Sequence, residues 1–133
     1  MQFKFTVPGK GVAKERPRFN SSSKTTYTPE RTQGFEAEVA WRCREAMKKA
    51  DAKKTKEPVC VEVTIYRKRK PKEGCGRPMD GGDVDNIAKS ILDAMNKIAY
   101  DDDKQVTTLT TMKRFTVGEP HITIYATQDI DFE

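Results

Sequence analysis

The chain reads as an α+β protein: a small mixed β-sheet packed against two main helices, in a single domain covering residues 1–133. Three observations predict this. Apolar residues alternate with polar ones at Phe3, Phe5 and Val7 and again at Val59, Val61, Val63 and Ile65, the period of a strand with one buried face. Over residues 35–50 and 84–98 apolar residues instead recur at three- and four-residue steps, the period of an amphipathic helix. The resulting order is strand, basic loop, helix, strand, acidic loop, helix, strand, strand, which describes one mixed sheet covered by two helices.

Composition narrows the function. At 133 residues, with 35% apolar and 34% charged side chains, the chain supports one modest core, and homodimerisation is a natural complement to it. No apolar run approaches the roughly twenty residues of a membrane span, and the opening Met-Gln-Phe-Lys-Phe is no signal peptide. The expectation is a soluble, cytoplasmic protein. Cys43, Cys60 and Cys75 are odd in number and lack C-x-x-C spacing, which argues against a disulfide framework or a zinc site. The single histidine, His121, argues against hydrolases built on a nucleophile and an imidazole base. Charge is uneven along the chain: residues 1–79 hold 20 Lys and Arg against 9 Asp and Glu, and residues 80–133 hold 5 against 11. A basic surface beside an acidic pocket suits a polyanion held by the cations while the acids hold metal.

Taken in order, Gln2 to Val7 forms the first strand, ended by Pro8 and Gly9. Lys10 to Tyr27 is a loop carrying Lys10, Lys14, Arg16, Arg18 and Lys24 with Phe19 and Tyr27 among them, a composition able to grip phosphates and stack on bases. Thr28 and Pro29 serve as N-cap and first residue of a helix whose buried stripe is Phe35, Val39, Cys43, Ala46, Met47 and Ala50, with Trp41 off the stripe. Val59 to Tyr66 is the clearest strand and runs into the basic segment Arg67, Lys68, Arg69, Lys70 and Lys72. Val106 to Phe115 and His121 to Thr127 read as a closing hairpin turned at Gly118-Glu119-Pro120, followed by a loose tail from Gln128.

Between these strands lies the stretch Gly81 to Gln105. Two glycines deliver Asp83 and Asp85 to the start of the second helix, and Asp101, Asp102 and Asp103 follow one helix length later. If the chain folds back after Tyr100, both clusters can converge on a divalent cation, since Mg²⁺ takes oxygen ligands from one or two carboxylates and substrate phosphates. Without a cation such crowding costs free energy. Lys89 lies one turn beyond Asp85, where it can form an ion pair or face a phosphate beside the metal.

Asp83-Val84-Asp85-Asn86-x-x-Lys89, Leu92-Asp93-Ala94 and Asp102-Asp103-Lys104-Gln105-Val106 resemble the linked signature of RusA-type Holliday junction resolvases. Pro8-Gly9-Lys10, Arg16-Pro17-Arg18 and Tyr27-Thr28-Pro29 look like the phage-type members of that family. The resemblance implies a homodimeric, Mg²⁺-dependent endodeoxyribonuclease, with Mn²⁺ as an alternative ion, that makes paired nicks in branched DNA at four-way junctions during recombination and repair. It assigns catalysis to Asp83, Asp85, Lys89 and Asp103, and metal binding to Asp83, Asp85 and Asp103, with Asp102 as the alternative third ligand. Lys10, Lys14, Arg16, Arg18, Lys24, Arg67, Lys68, Arg69, Lys70 and Lys72 would contact DNA. The competing expectations are a flap- or branch-cutting nuclease of phage DNA processing and a non-catalytic DNA-binding module.

Overall fold

The computed structural model describes residues 1–14, 18–27, 29–69 and 76–130. In chain order the elements are β1 (Gln2–Pro8), β2 (Arg18–Asn20), β3 (Thr25–Tyr27), α1 (Glu30–Lys49), β4 (Val59–Lys68), α2 (Val84–Met95), a 3-10 turn at Asp103–Gln105, β5 (Val106–Thr116) and β6 (His121–Gln128). Four strands form one sheet in the order β1-β6-β4-β5. β4 runs parallel to β5, and β6 runs antiparallel to both β1 and β4. The fold is therefore α+β, with a mixed sheet and two helices, as the periodicities predict.

Burial decides which strands are central. Val59, Val61, Ile65, Ile122, Ile124 and Ala126 are fully buried, so β4 and β6 place a full apolar face on the core. β5 has no such face, and Thr107, Thr108, Leu109 and Thr110 are exposed. It occupies an edge, where a polar strand is tolerated. The expected β5–β6 hairpin consequently does not form: β4 lies between the two strands, and residues 117–120 carry the chain from one side of β4 to the other. The β4–α2–β5 segment is the crossover that a parallel pair requires.

Helix α1 buries Thr32, Phe35, Val39, Cys43 and Met47, and packs on β1 and α2. Its first residue is Glu30, with Pro29 at the N-cap and no capping side chain. Pro29 thus precedes the helix instead of opening it, and Thr28 lies outside the described residues. Trp41 stays 56% exposed, under the guanidinium of Arg42 at 5.7 Å. α2 buries Ile87, Ala88, Ser90, Ile91, Ala94 and Met95 and stops earlier than its apolar period, because Asn96 turns out of the helix (ψ 136°) and Lys97 adopts φ +68°. Tyr100 then returns to the core fully buried, donating its hydroxyl to the Leu92 carbonyl at 2.7 Å.

Two more differences are local. The basic loop contains the β2–β3 hairpin, whose turn is shaped by the Asn20 side chain accepting from the Ser22 and Ser23 amides, a local bond that asparagine offers in turns. The tail is tied down at its start: Asp129 donates its amide to Pro58 and accepts from Thr107 and Thr108 hydroxyls, each at 2.6 Å. His121 stacks on Tyr66 at 4.5 Å and donates from Nδ1 to the Glu119 carbonyl, a packing role. Among the described residues no helix is long and apolar enough to cross a membrane.

Candidate active site

The site is built on one face of α2 and on the 3-10 turn that follows it. Gly81 and Gly82 both take positive φ, +89° and +93°, a region open to glycine and costly for other residues. They lead into Asp83, the N-cap, which is extended at φ −80°, ψ 136° and uses no side-chain oxygen to cap the helix. Among the described residues its carboxylate meets the Asn86 amide, 3.4 Å from Oδ2. Asp85, in the first turn, is exposed and has no hydrogen-bond or ion-pair partner among the described residues. Helix N-termini favour such carboxylates through the peptide dipoles, so the pair stands ready for solvent or a ligand at little cost to the helix.

Asp85, Lys89 and Asp93 follow at four-residue steps on the same face. Lys89 is 59% exposed and pairs with Asp93 at 3.5 Å, not with Asp85. The negative charge at that end of the helix explains the choice, for Asp93 has Asp103 beside it. Burial raises the Asp103 carboxyl above its ordinary range, helped by hydrogen bonding to Asp102 and Asp93 and partly offset by the charge of Lys89. Asp102 behaves oppositely. Its carboxylate accepts from the Lys104 amide at 2.9 Å, which holds it below the usual range. Asp101 is likewise lowered, chiefly by its bond to Lys54, 2.7 Å away.

Gln105 fixes this acidic turn. Its Oε1 accepts from the Asp101 and Asp102 amides at 2.8 and 3.1 Å, and its Nε2 donates to the Thr55 and Glu57 carbonyls at 3.0 and 3.1 Å. Sequence reasoning assigned Gln105 only to a motif; the capping box, an Asp with a Gln three residues on, was the readable signal. Asp93 was legible on the polar face of α2. Its tie through Lys14 to Glu36 of α1 joins residues far apart in the chain and left no local signal.

The basic residues divide into groups. Lys14 and Arg67 have side chains only 21% and 11% exposed, engaged with Glu36 and Asp93 and with Asp80. Lys10, Lys68 and Arg69 line a cleft of about 460 Å³ with Arg67, Asp80, Glu119 and Pro120. Lys68 pairs there with Glu119 at 3.2 Å, and Arg69 lies 4.8 Å over the Phe115 ring. Lys24 is exposed at the β2–β3 turn. Arg16, Lys70 and Lys72 lie outside the described residues, as does the side chain of Arg18.

Among the described residues no group of three or more His, Cys, Asp or Glu side chains is placed to hold a metal ion by itself. The fit to a hard divalent cation is one of donor chemistry and charge. Every candidate ligand offers carboxylate oxygen, and Asp103 is pushed upward by burial and two adjacent carboxylates, an excess of negative charge that a cation relieves. Mg²⁺ needs few protein ligands when phosphate oxygens complete its shell.

Residues 8–126 match the family described as Endodeoxyribonuclease RusA. The chain is also similar to the uncharacterized protein YqaN of Bacillus subtilis (strain 168), at 32% identity over 135 residues that cover 91% of this chain and 92% of that protein.

Proposed function

Since the chain belongs to the RusA endodeoxyribonuclease family, we propose that it is a Mg²⁺-dependent, structure-selective nuclease that resolves four-way DNA junctions by paired nicks. One observation carries the reading: at the start of α2 Asp85 has no hydrogen-bond or ion-pair partner among the described residues and Asp83 meets only the Asn86 amide there, while Lys89 and Asp93 follow on the next turns of the helix and Asp103 of the 3-10 turn lies beside Asp93. Asp83, Asp85 and Asp103 would hold the ion. Asp103 is preferred to Asp102 as third ligand because the Asp102 carboxylate is occupied by the Lys104 amide.

When bound, Mg²⁺ supplies a more acidic water and relief of charge on the phosphate. Lys89 is exposed and adds electrostatic stabilisation to the same developing charge, while Asp93 limits where its ammonium can reach. Lys10, Lys24, Lys68 and Arg69 supply sequence-independent attraction for the backbone, joined by Arg16, Arg18, Lys70 and Lys72. Lys14 and Arg67 are removed from that set because their side chains face internal acids. A homodimer would present two such sites to a junction that has its own two-fold symmetry. One domain over residues 1–133 and a cytoplasmic setting complete the proposal.

The test is incubation with labelled four-way junction, flap and linear duplex, with and without Mg²⁺ or Mn²⁺, for wild type and Asp83→Asn. Paired nicks in the junction that need the ion and disappear in Asp83→Asn are expected. Preferential flap cutting would move the assignment to a branch-cutting nuclease of phage DNA processing. Tight DNA binding without cutting in any ion would make the protein a binding module.

A further inference from the structure

We propose that Arg67 is a positioning residue for the acidic loop: its guanidinium, ion-paired to Asp80 and occupying the space a side chain on Gly81 would fill, sets how Asp83 enters α2. For its effect on cutting, the inference rests on the proposed nuclease reading.

Arg67 stands near the end of β4, at the start of a run whose next member, Lys68, has a side chain 57% exposed. Arg67 itself is only 11% exposed, and Nη2 lies 3.4 Å from Asp80 Oδ2. An arginine this buried ordinarily has a partner. The second contact is with backbone: a Cβ on Gly81 would overlap the guanidinium carbon and its terminal nitrogens. The planar cation therefore rests directly against the glycine, a fit that the compact ammonium of lysine does not reproduce. Lys113, from the neighbouring strand β5, donates to the Asp80 carbonyl at 3.0 Å.

Asp80 and Gly81 are thus held by cations from two adjacent strands. The two residues after Asp80 are glycines at positive φ, which have the widest choice of backbone conformations of any residue. Some external contact has to select one of them, and Arg67 is placed to do so. A phosphate contact by Arg67, as its place in a basic run suggests, would require breaking the Asp80 pair and vacating the space beside Gly81.

The experiment compares wild type with Arg67→Met, which keeps an unbranched apolar stem and removes the charged plane, and with Arg67→Lys. Amide exchange at Ile87, whose N–H donates to the Asp83 carbonyl at 3.1 Å, reports the first turn of α2 without requiring cutting. Arg67→Met should speed that exchange about tenfold, with an unchanged melting temperature. It should lower kcat on the junction on the order of 10²-fold with KM nearly constant, as expected of a misplaced catalytic group. Arg67→Lys should recover part of both effects. Unchanged Ile87 exchange, or a raised KM with kcat retained, would overturn the proposal. Should Arg67→Met melt early, Gly81→Ala and the double variant decide instead. Alanine at 81 strains the positive φ in either background and, only where Arg67 is present, also displaces the guanidinium, so its effect on exchange should shrink in the Arg67→Met background, and fully multiplicative effects would refute the clamp. Exchange judges the clamp and wild-type cutting judges the nuclease reading, so the two can fail separately.

Discussion

The Lys14 ammonium bridges two helices, lying 2.6 Å from Glu36 of α1 and 3.2 Å from Asp93 of α2, while its own backbone amide donates to the Asn86 carbonyl at 2.9 Å. A residue expected to grip DNA has its ammonium engaged with one acid of each helix. Lys14→Met should destabilise the fold by about 1–3 kcal/mol, since two partly buried carboxylates lose their common donor. Chemical denaturation measures this, and an unaltered midpoint with weakened DNA binding would restore the phosphate role. Burial pulls the ammonium down, yet the bonds to Glu36 and Asp93 outweigh it and hold the group above its ordinary 10.5. The raised folded value means that the stabilisation is complete below the unfolded value and fades as pH climbs through the folded one. The stability gap between wild type and Lys14→Met should therefore narrow in alkaline solution above that range.

Asp102 and Asp103 are adjacent but should fail differently. Asp103→Asn is expected to lower cutting on the order of 10²-fold with the fold intact. Asp102→Ala removes the acceptor of the Lys104 amide and should lower the denaturation midpoint, as lost caps do, with a smaller loss of cutting. Nicking rates and denaturation midpoints of both variants check this, and the reverse pattern would make Asp102 the ligand.

Gln105→Leu keeps the volume and removes every side-chain bond that ties the acidic turn to residues 55–57. We expect about 1–3 kcal/mol of destabilisation from the unpaired backbone groups and a higher Mg²⁺ requirement. A titration of cutting against Mg²⁺ that matches wild type would show that the turn is held by other contacts.

Burial pushes the Cys43 thiol up to about 12, and the side chain is fully enclosed. Because the thiolate is the reacting species, modification of Cys43 in the native protein should be on the order of 10²-fold slower than in urea. Cys60, half-buried in β4, should react sooner. Peptide mass spectrometry after timed alkylation distinguishes the two, and equal rates would contradict the enclosure of Cys43.

Local pattern alone determined a good deal of this protein. Phe3, Phe5 and Val7, the Val59 to Ile65 alternation, and the apolar steps of α1 and α2 each announced their element, because side-chain direction repeats every two residues in a strand and every 3.6 in a helix. The acids at 83, 85 and 103 and Lys89 were legible because they lie close in sequence around one helix. Their expected pairing was not: Lys89 turned to Asp93, where Asp103 and Asp102 concentrate negative charge. Only tertiary structure decided that β4 separates β5 from β6, since strand order follows from which faces can be buried together and leaves no trace in either strand's own spacing. Likewise, a cation looks the same in sequence whether it meets solvent or an internal carboxylate. Lys14 and Arg67 acquired their partners from segments 22 and 13 residues away, and it is the packing of those segments, through the acids it supplies, that engages both cations with carboxylates of the same chain.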